Sequence, residues 1–230
     1  MEKKKLTRIY EVLSKTYQIF SENGNDWDAN GLSNTPFKSL VSVMLSTMTN
    51  TKRVIKAAVA LYAKATTPEE LLALPDDELT ALIKPVAHYN RKTQHLKQMS
   101  HQLLDRHHGE VPHTREELMA LQGVGRKCTD ILMNFTFDQP AIAVDSHVLR
   151  VLNRLGVIDT DSAKQAADEI NEQTPAKYKQ HAHEWLIQHG GKVCVARKPK
   201  CEECPLTELC EYYKTHARHG LGNVKVAKPA

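Results

Sequence analysis

Between Leu121 and His147 the chain reads LQGVGRKCTDILMNFTFDQPAIAVDSH, which sets a glycine turn, an amine and a carboxylate in one short span. Gly123-Val124-Gly125 lies between two helical patterns. Glycines there let an anion approach the backbone, and the amides opening the next helix can grip a phosphate without reading a base. Arg126 and Lys127 follow at that anion-binding end. A cation at a helix start opposes the macrodipole and the charge of Arg126, which favours the uncharged amine, a nucleophile able to form a Schiff base. A phosphate contact is the plainer role for Lys127. Asp145 opens the next helix and is by default its N-cap. A carboxylate there could also take a proton or favour positive charge developing on a sugar. His147 could meet phosphate or pack.

A second cluster of chemistry lies further on. Cys194, Cys201, Cys204 and Cys210 are spaced C-x6-C-x2-C-x5-C. Four thiolates in so short a loop suit a tetrahedral zinc or an iron–sulfur cluster, and spacing alone leaves both open. Arg197, Lys198 and Lys200 fall inside the first loop and would make its outer face basic. The fifth cysteine, Cys128, shares helical spacing with Ile131, Leu132 and Phe135 and reads as a core thiol.

The elements that must position these groups read as helices throughout. Ile9, Leu13, Tyr17 and Phe20 form one stripe, broken at Glu22-Asn-Gly-Asn. Pro36 suits a first helical turn, with Phe37, Leu40, Val41, Met44 and Leu45 inward. Ser46–Thr51 is an uncharged polar link, and the next helix has Ile55, Ala58, Val59 and Tyr62 on one face. Thr67 with Glu70 and Thr114 with Glu117 are capping boxes, and Asp76 reads as a cap. A helix follows Tyr89-Asn90 and stops near Gly109. Two more start at Ser162 and Thr174-Pro175, the second closed by Gly190-Gly191. Ala141–Val144 is strand-like but too short and isolated to build a sheet, so the fold class is all-α.

Composition narrows the setting. The 230 residues, 41% of them hydrophobic, suit one large domain or two small ones and supply a real core. No run is long and apolar enough to span a bilayer. Met1–Leu6 is basic with no apolar signal segment after it, so a cytoplasmic protein is expected. A net charge of +4 permits an anionic partner without demanding one. Lys3–Lys5, Arg91-Lys92, Arg197–Lys200 and the tail with Arg218, Lys225 and Lys228 are basic islands, each read by itself as a solvated face.

Taken together, LQGVGRK, AVDSHVLRVLNRLG and CVARKPKCEECPLTELC resemble the endonuclease III family of helix-hairpin-helix DNA glycosylases, over about Pro36 to Tyr212. The resemblance implies a six-helix barrel domain over residues 30–139 that carries the hairpin. It implies a [4Fe–4S] cluster domain joining 1–29 to 140–213, with 214–230 left as a flexible basic tail. The family's nucleophilic lysine falls on Lys127 and its catalytic aspartate on Asp145. Its cluster ligands fall on the four cysteines and its backbone-binding hairpin on Gly123, Val124 and Gly125. Arg126, His147, Arg197, Lys198 and Lys200 join the implied DNA-binding set. The implied partner is double-stranded DNA with damaged bases or abasic sites, bound by a monomer in the cleft between the domains. The implied activity is a bifunctional glycosylase and abasic-site lyase for base excision repair, nucleoid-associated if the source is prokaryotic.

Two positions depart from the family pattern. Gln122 stands where the hairpin proline is usual. Met48 stands where the family has a glutamine that fills the gap left by the flipped nucleotide. An apolar wedge can hold such a gap open but cannot make the same hydrogen bonds to the opposite base. Oxidised pyrimidines are the expected lesions, with a mismatch-directed or otherwise altered specificity as the alternative. A non-enzymatic, cluster-containing DNA-binding protein is disfavoured by the presence of both Lys127 and Asp145.

Overall fold

The computed structural model describes residues 2–20 and 26–216. The breaker at Glu22–Asn25 and the tail with Arg218, Lys225 and Lys228 lie outside those residues. Among the described residues every regular element is helical. The chain divides into two compact units, Phe20–Ala143 and Met1–Ile19 with Val144–Ala230.

The continuous unit holds α2 (Asp26–Ala29), α3 (Pro36–Ser46), α4 (Thr51–Tyr62), α5 (Pro68–Ala73), α6 (Asp76–Ile83), α7 (Tyr89–His107), α8 (Arg115–Ala120) and α9 (Arg126–Phe135). Helix α3 packs on α4, α4 on α6, α6 on α7, and α7 back on α3, closing a ring. With α5 against α7 and α9 against α3, six helices surround one apolar core that includes Leu40, Leu45, Leu61, Leu96 and Leu132. Cys128 is buried in it, as its spacing predicts.

Helix starts follow their caps. The hydroxyls of Thr35, Thr67 and Thr114 accept from the amides of Lys38, Glu70 and Glu117 respectively. Asp76 is not the cap of α6: Pro75 holds that position, and Asp76, Asp77 and Glu78 fill the first turn, where acidic groups face the positive end of the dipole. Val59 is also misplaced by its periodicity. It is exposed, because the buried face of α4 is Val54, Ala57, Ala58 and Leu61, rotated from the predicted stripe.

The discontinuous unit holds α1 (Glu2–Thr16), α10 (Ser146–Leu155), α11 (Ala163–Gln173), α12 (Ala176–Lys192), two single 3-10 turns at Cys201–Glu203 and Thr207–Leu209, and α13 (Glu211–His216). Helix α12 packs on α10 and α1. Tyr10 of α1 is fully buried; its hydroxyl hydrogen-bonds Thr174 Oγ1 at 3.0 Å and its ring lies 6.3 Å from that of Trp185. Gly190-Gly191 does not end α12, which runs on to Lys192. Gly190 is needed for packing instead. A Cβ there would lie 3.0 Å from His147 Cβ and 3.2 Å from its carbonyl oxygen, so the missing side chain lets α10 and α12 cross closely.

Candidate active site and cluster loop

Leu121 ends α8, and Val124 N–H donates back to its carbonyl at 3.1 Å, closing the turn. Gly123 has φ +79°, and a Cβ on it would lie 2.7 Å from His95 Nδ1, so both conformation and space require glycine. Gly125 is different. It caps α9 in extended conformation, and a Cβ there would meet no protein atom within 4 Å, leaving that face of the turn open. Gln122 compensates for the missing proline: its N–H donates to Gln102 Oε1 at 2.6 Å, while Gln102 Nε2 donates to Ala120 O at 3.4 Å. A side chain from α7 thus ties down the arm of the hairpin that leaves α8.

Arg126 and Lys127 open α9 with different surroundings. Arg126 Nε donates to Asp130 Oδ2 at 2.8 Å, and Arg115 Nη2 to Asp130 Oδ1 at 2.9 Å. Asp130 is fully buried, and burial pushes its carboxyl above the ordinary range despite two guanidinium partners. Arg126 is therefore committed to bracing the helix start. Lys127 is half-buried, and among the described residues its ammonium has no hydrogen-bond or ion-pair partner.

The α3–α4 turn belongs to the same unit. Met48 is the most exposed large apolar residue described, at 82%, with φ +55°, a left-handed conformation unusual for a residue with a Cβ. Lys92, which the sequence suggests is part of a solvated basic island, is only 7% exposed. Its ammonium donates to Leu45 O, Thr47 O and Thr49 Oγ1 at 2.8, 2.7 and 3.3 Å. The negative end of α3 draws the cation inward. No sequence signal marks Lys92, because the carbonyls that bury it come from the far side of the barrel sequence.

In the discontinuous unit Asp145 is the N-cap of α10. Its Oδ1 accepts from His147 N and Val148 N, both at 2.9 Å, and Oδ2 has no partner among the described residues. His147 is half-buried, with Nδ1 3.3 Å from Arg150 Nη2. Arg150 also donates to Cys194 O and Gly190 O at 3.0 and 2.8 Å.

The four cysteines, none of them in a disulfide, line one pocket that is open on one side, with His189, Arg154 and Tyr212 in its wall. Arg154 Nη1 lies 3.5 Å from Cys194 Sγ, and His189 Nε2 lies 3.7 Å from Cys204 Sγ. Burial first, and then the charge of the neighbouring thiols, pushes Cys201 and Cys210 up and Cys204 to about 11. Such a set of mutually repelling donors calls for a multivalent cation among them. Among the described residues no three Cys, His, Asp or Glu side chains close to single-ion spacing. Four thiols converging on one pocket fit a group with several metal corners, one for each sulfur. Arg197 and Lys198 are exposed on the loop, and Lys200 ion-pairs with Glu203 at 3.8 Å.

Residues 41–176 match the HhH-GPD superfamily of base excision DNA repair proteins, and residues 194–210 match the iron–sulfur binding domain of endonuclease III, beginning and ending on a cysteine. The chain belongs to the endonuclease III family. It is 40% identical over 177 residues to endonuclease III of Escherichia coli strain K12, covering 77% of this chain and 84% of the relative. It is 39% identical to the Haemophilus influenzae endonuclease III over 179 residues, 78% and 85% of the two chains. Among solved structures it is similar to a trapped endonuclease III–DNA covalent intermediate, with a TM-score of 0.76, 36% identity, and coverage of 80% of this chain and 87% of that one. The protein is thus an endonuclease III-type DNA glycosylase and abasic-site lyase of base excision repair, with a [4Fe–4S] cofactor. No helix among the described residues is long and apolar enough to cross a membrane.

Proposed function

We propose that Lys127 is the nucleophile that removes damaged pyrimidines, oxidised ones first, from duplex DNA and then cleaves the strand. The carrying observation is a half-buried amine without a partner among the described residues, set in the first turn of α9 beside the open face of Gly125. The hairpin amides at Gly123, Val124 and Gly125 would bind the backbone phosphate. Arg126 adds to the same interface while braced by Asp130.

The chemistry follows from these roles. With the nucleotide flipped out, Lys127 Nζ bonds to C1′ as the bond from C1′ to the base breaks, and the departing base takes up the proton that Asp145 relays from the amine. Asp145 favours the positive charge that develops on the sugar and accepts the proton released from the lysine. Its Oδ2 is suited to this, since the cap uses Oδ1. The nitrogen lone pair then forms the C=N bond as the C1′–O4′ bond opens and O4′ takes up a proton. The resulting iminium acidifies the C2′ proton, whose removal breaks the C3′–O bond and expels the 3′ phosphate, and hydrolysis of the imine frees the lysine. Met48 would fill the space the flipped nucleotide leaves.

Cys194, Cys201, Cys204 and Cys210 would hold the cluster, which when bound supplies the positive, cross-linking centre that four crowded thiolates require. Arg197, Lys198, Lys200 and His147 complete the proposed DNA-facing set. A monomer acting on nucleoid DNA in a bacterial cytoplasm is the setting this implies, the matched endonuclease III relatives being bacterial.

The deciding experiment is borohydride trapping on duplexes carrying an abasic site or an oxidised pyrimidine. A covalent complex is expected with the wild-type protein and none with Lys127→Ala. An adduct that survives in Lys127→Ala overturns the assignment.

A further inference from the structure

The carbonyls at the end of α3 are completely satisfied, by an arrangement that leaves one side chain out. Ser46 Oγ donates to Val43 O at 2.7 Å, Thr47 Oγ1 to Met44 O at 2.9 Å, and Thr49 N to Ser46 O at 3.1 Å. The carbonyls of Leu45 and Thr47 go to the Lys92 ammonium. This explains a linker rich in hydroxyls and free of charge: its own side chains cap the helix, and the cation arrives from α7. Met48 takes no part and stands out in solvent.

A left-handed conformation at a residue with a Cβ persists only where its surroundings fix it. Here they do so from both sides, since Lys92 grips the carbonyls of Leu45 and Thr47. Thr49 Oγ1 accepts from Lys92 and also from Ala87 N at 3.0 Å, which joins the turn to the start of α7. That start contains His88, another exposed left-handed residue.

We infer that Lys92 is a positioning residue for lesion recognition, clamping the α3–α4 turn so that Met48 is held outward in the conformation that enters DNA. This rests on the reading of Met48 as the gap-filling side chain. Burial lowers Lys92 to about 8, with Arg91 and Lys127 acting in the same direction and Cys128 against it. A cation kept in such a place has work for its donors.

The test is a double-mutant cycle on the iron-loaded full chain. It uses single-turnover base removal from a duplex with an oxidised pyrimidine, and 2-aminopurine fluorescence beside the lesion. Cleavage of a preformed abasic site in single-stranded DNA, which has no duplex gap to fill, is the control. Met48→Ala and Lys92→Met are each expected to slow duplex turnover by about tenfold and to reduce the fluorescence rise on flipping. Added to Met48→Ala, Lys92→Met is expected to cost less than about twofold more, because both act through one side chain. Single-strand cleavage by Lys92→Met should stay within about twofold of wild type.

Additive losses, or an equal loss on single-stranded and duplex substrates, overturn the positioning role alone. A Met48→Ala protein with normal flipping overturns the wedge reading and this inference with it. If Lys92→Met does not fold, Thr49→Val, which removes the shared hydroxyl, carries the same cycle.

Discussion

The backbone N–H of Gln122 donates to the side-chain oxygen of Gln102 at 2.6 Å, and this bond stands where the family pattern has a proline. A proline would stiffen the turn through its ring; here stiffness comes from a side chain one helix away. Gln102→Ala leaves the hairpin's glycines untouched but removes its anchor. Weaker binding of undamaged duplex by a few fold is expected, with trapping at a saturating abasic site little changed. Fluorescence anisotropy titrations at fixed salt measure the first and borohydride trapping the second. Equal affinity in the two proteins would show that the anchor is dispensable.

Asp145 combines a cap and a proposed catalytic carboxylate, and two substitutions separate them. Asn retains an oxygen for the amides of His147 and Val148 but carries no charge. Asp145→Asn should therefore keep its thermal midpoint while losing most glycosylase activity. Asp145→Ala should lose activity and, in addition, about 1 kcal/mol of stability from the missing cap. Denaturant unfolding beside single-turnover rates distinguishes them; an active Asn variant would leave Asp145 as a cap only.

Adjacent glycines of α12 make opposite predictions. A Cβ at Gly190 would press on His147 and Val151, one contact being a backbone oxygen at 3.2 Å. Gly190→Ala should cost roughly 1–3 kcal/mol as α10 is displaced. At Gly191 a Cβ meets nothing within 4 Å, and helix propensity alone favours alanine by about 0.5–1 kcal/mol. Thermal melts of the two variants should shift in opposite directions.

Lys92 gives stability a signature in alkaline solution. Its folded value is about 8 against an ordinary 10.5. Between those values the unfolded chain holds a proton that the native state has released, so this group's contribution to stability rises with pH across that window. Below pH 8 both states are protonated and the contribution is flat. Wild type should therefore gain on Lys92→Met between about pH 8 and 10 in urea unfolding, against Arg91 and Lys127 held constant in both. A parallel pair of curves would mean that Lys92 titrates normally.

Much of this was legible in the chain. The threonine caps at 35, 67 and 114, the buried Cys128 and the turn at Gly123 each follow from local rules, because cap, stripe and glycine all act within a few residues. What local rules missed came from tertiary contacts. Lys92 looks like a surface cation until the carbonyls of Leu45 and Thr47 come from across the barrel. Gly190 looks like a helix stop until α10 is laid against it. Arg126 reads as a free cation until buried Asp130 and Arg115 are brought beside it. The exposure of Met48 was foreseeable only through the family pattern, since nothing in its neighbours' polarity requires a left-handed residue.

Helix α1 leaves the ribosome well before the helices that cover its apolar face, α11 and α12, which begin about 150 residues later. At ordinary elongation rates that interval is roughly 10–30 s. For that time Leu6, Ile9, Tyr10 and Leu13 have no native partner, while the barrel, made of consecutive helices, can close. Nascent chains stalled before α12 should accordingly carry a folded barrel and an uncovered, sticky α1, a natural client for a chaperone that waits at the exit tunnel.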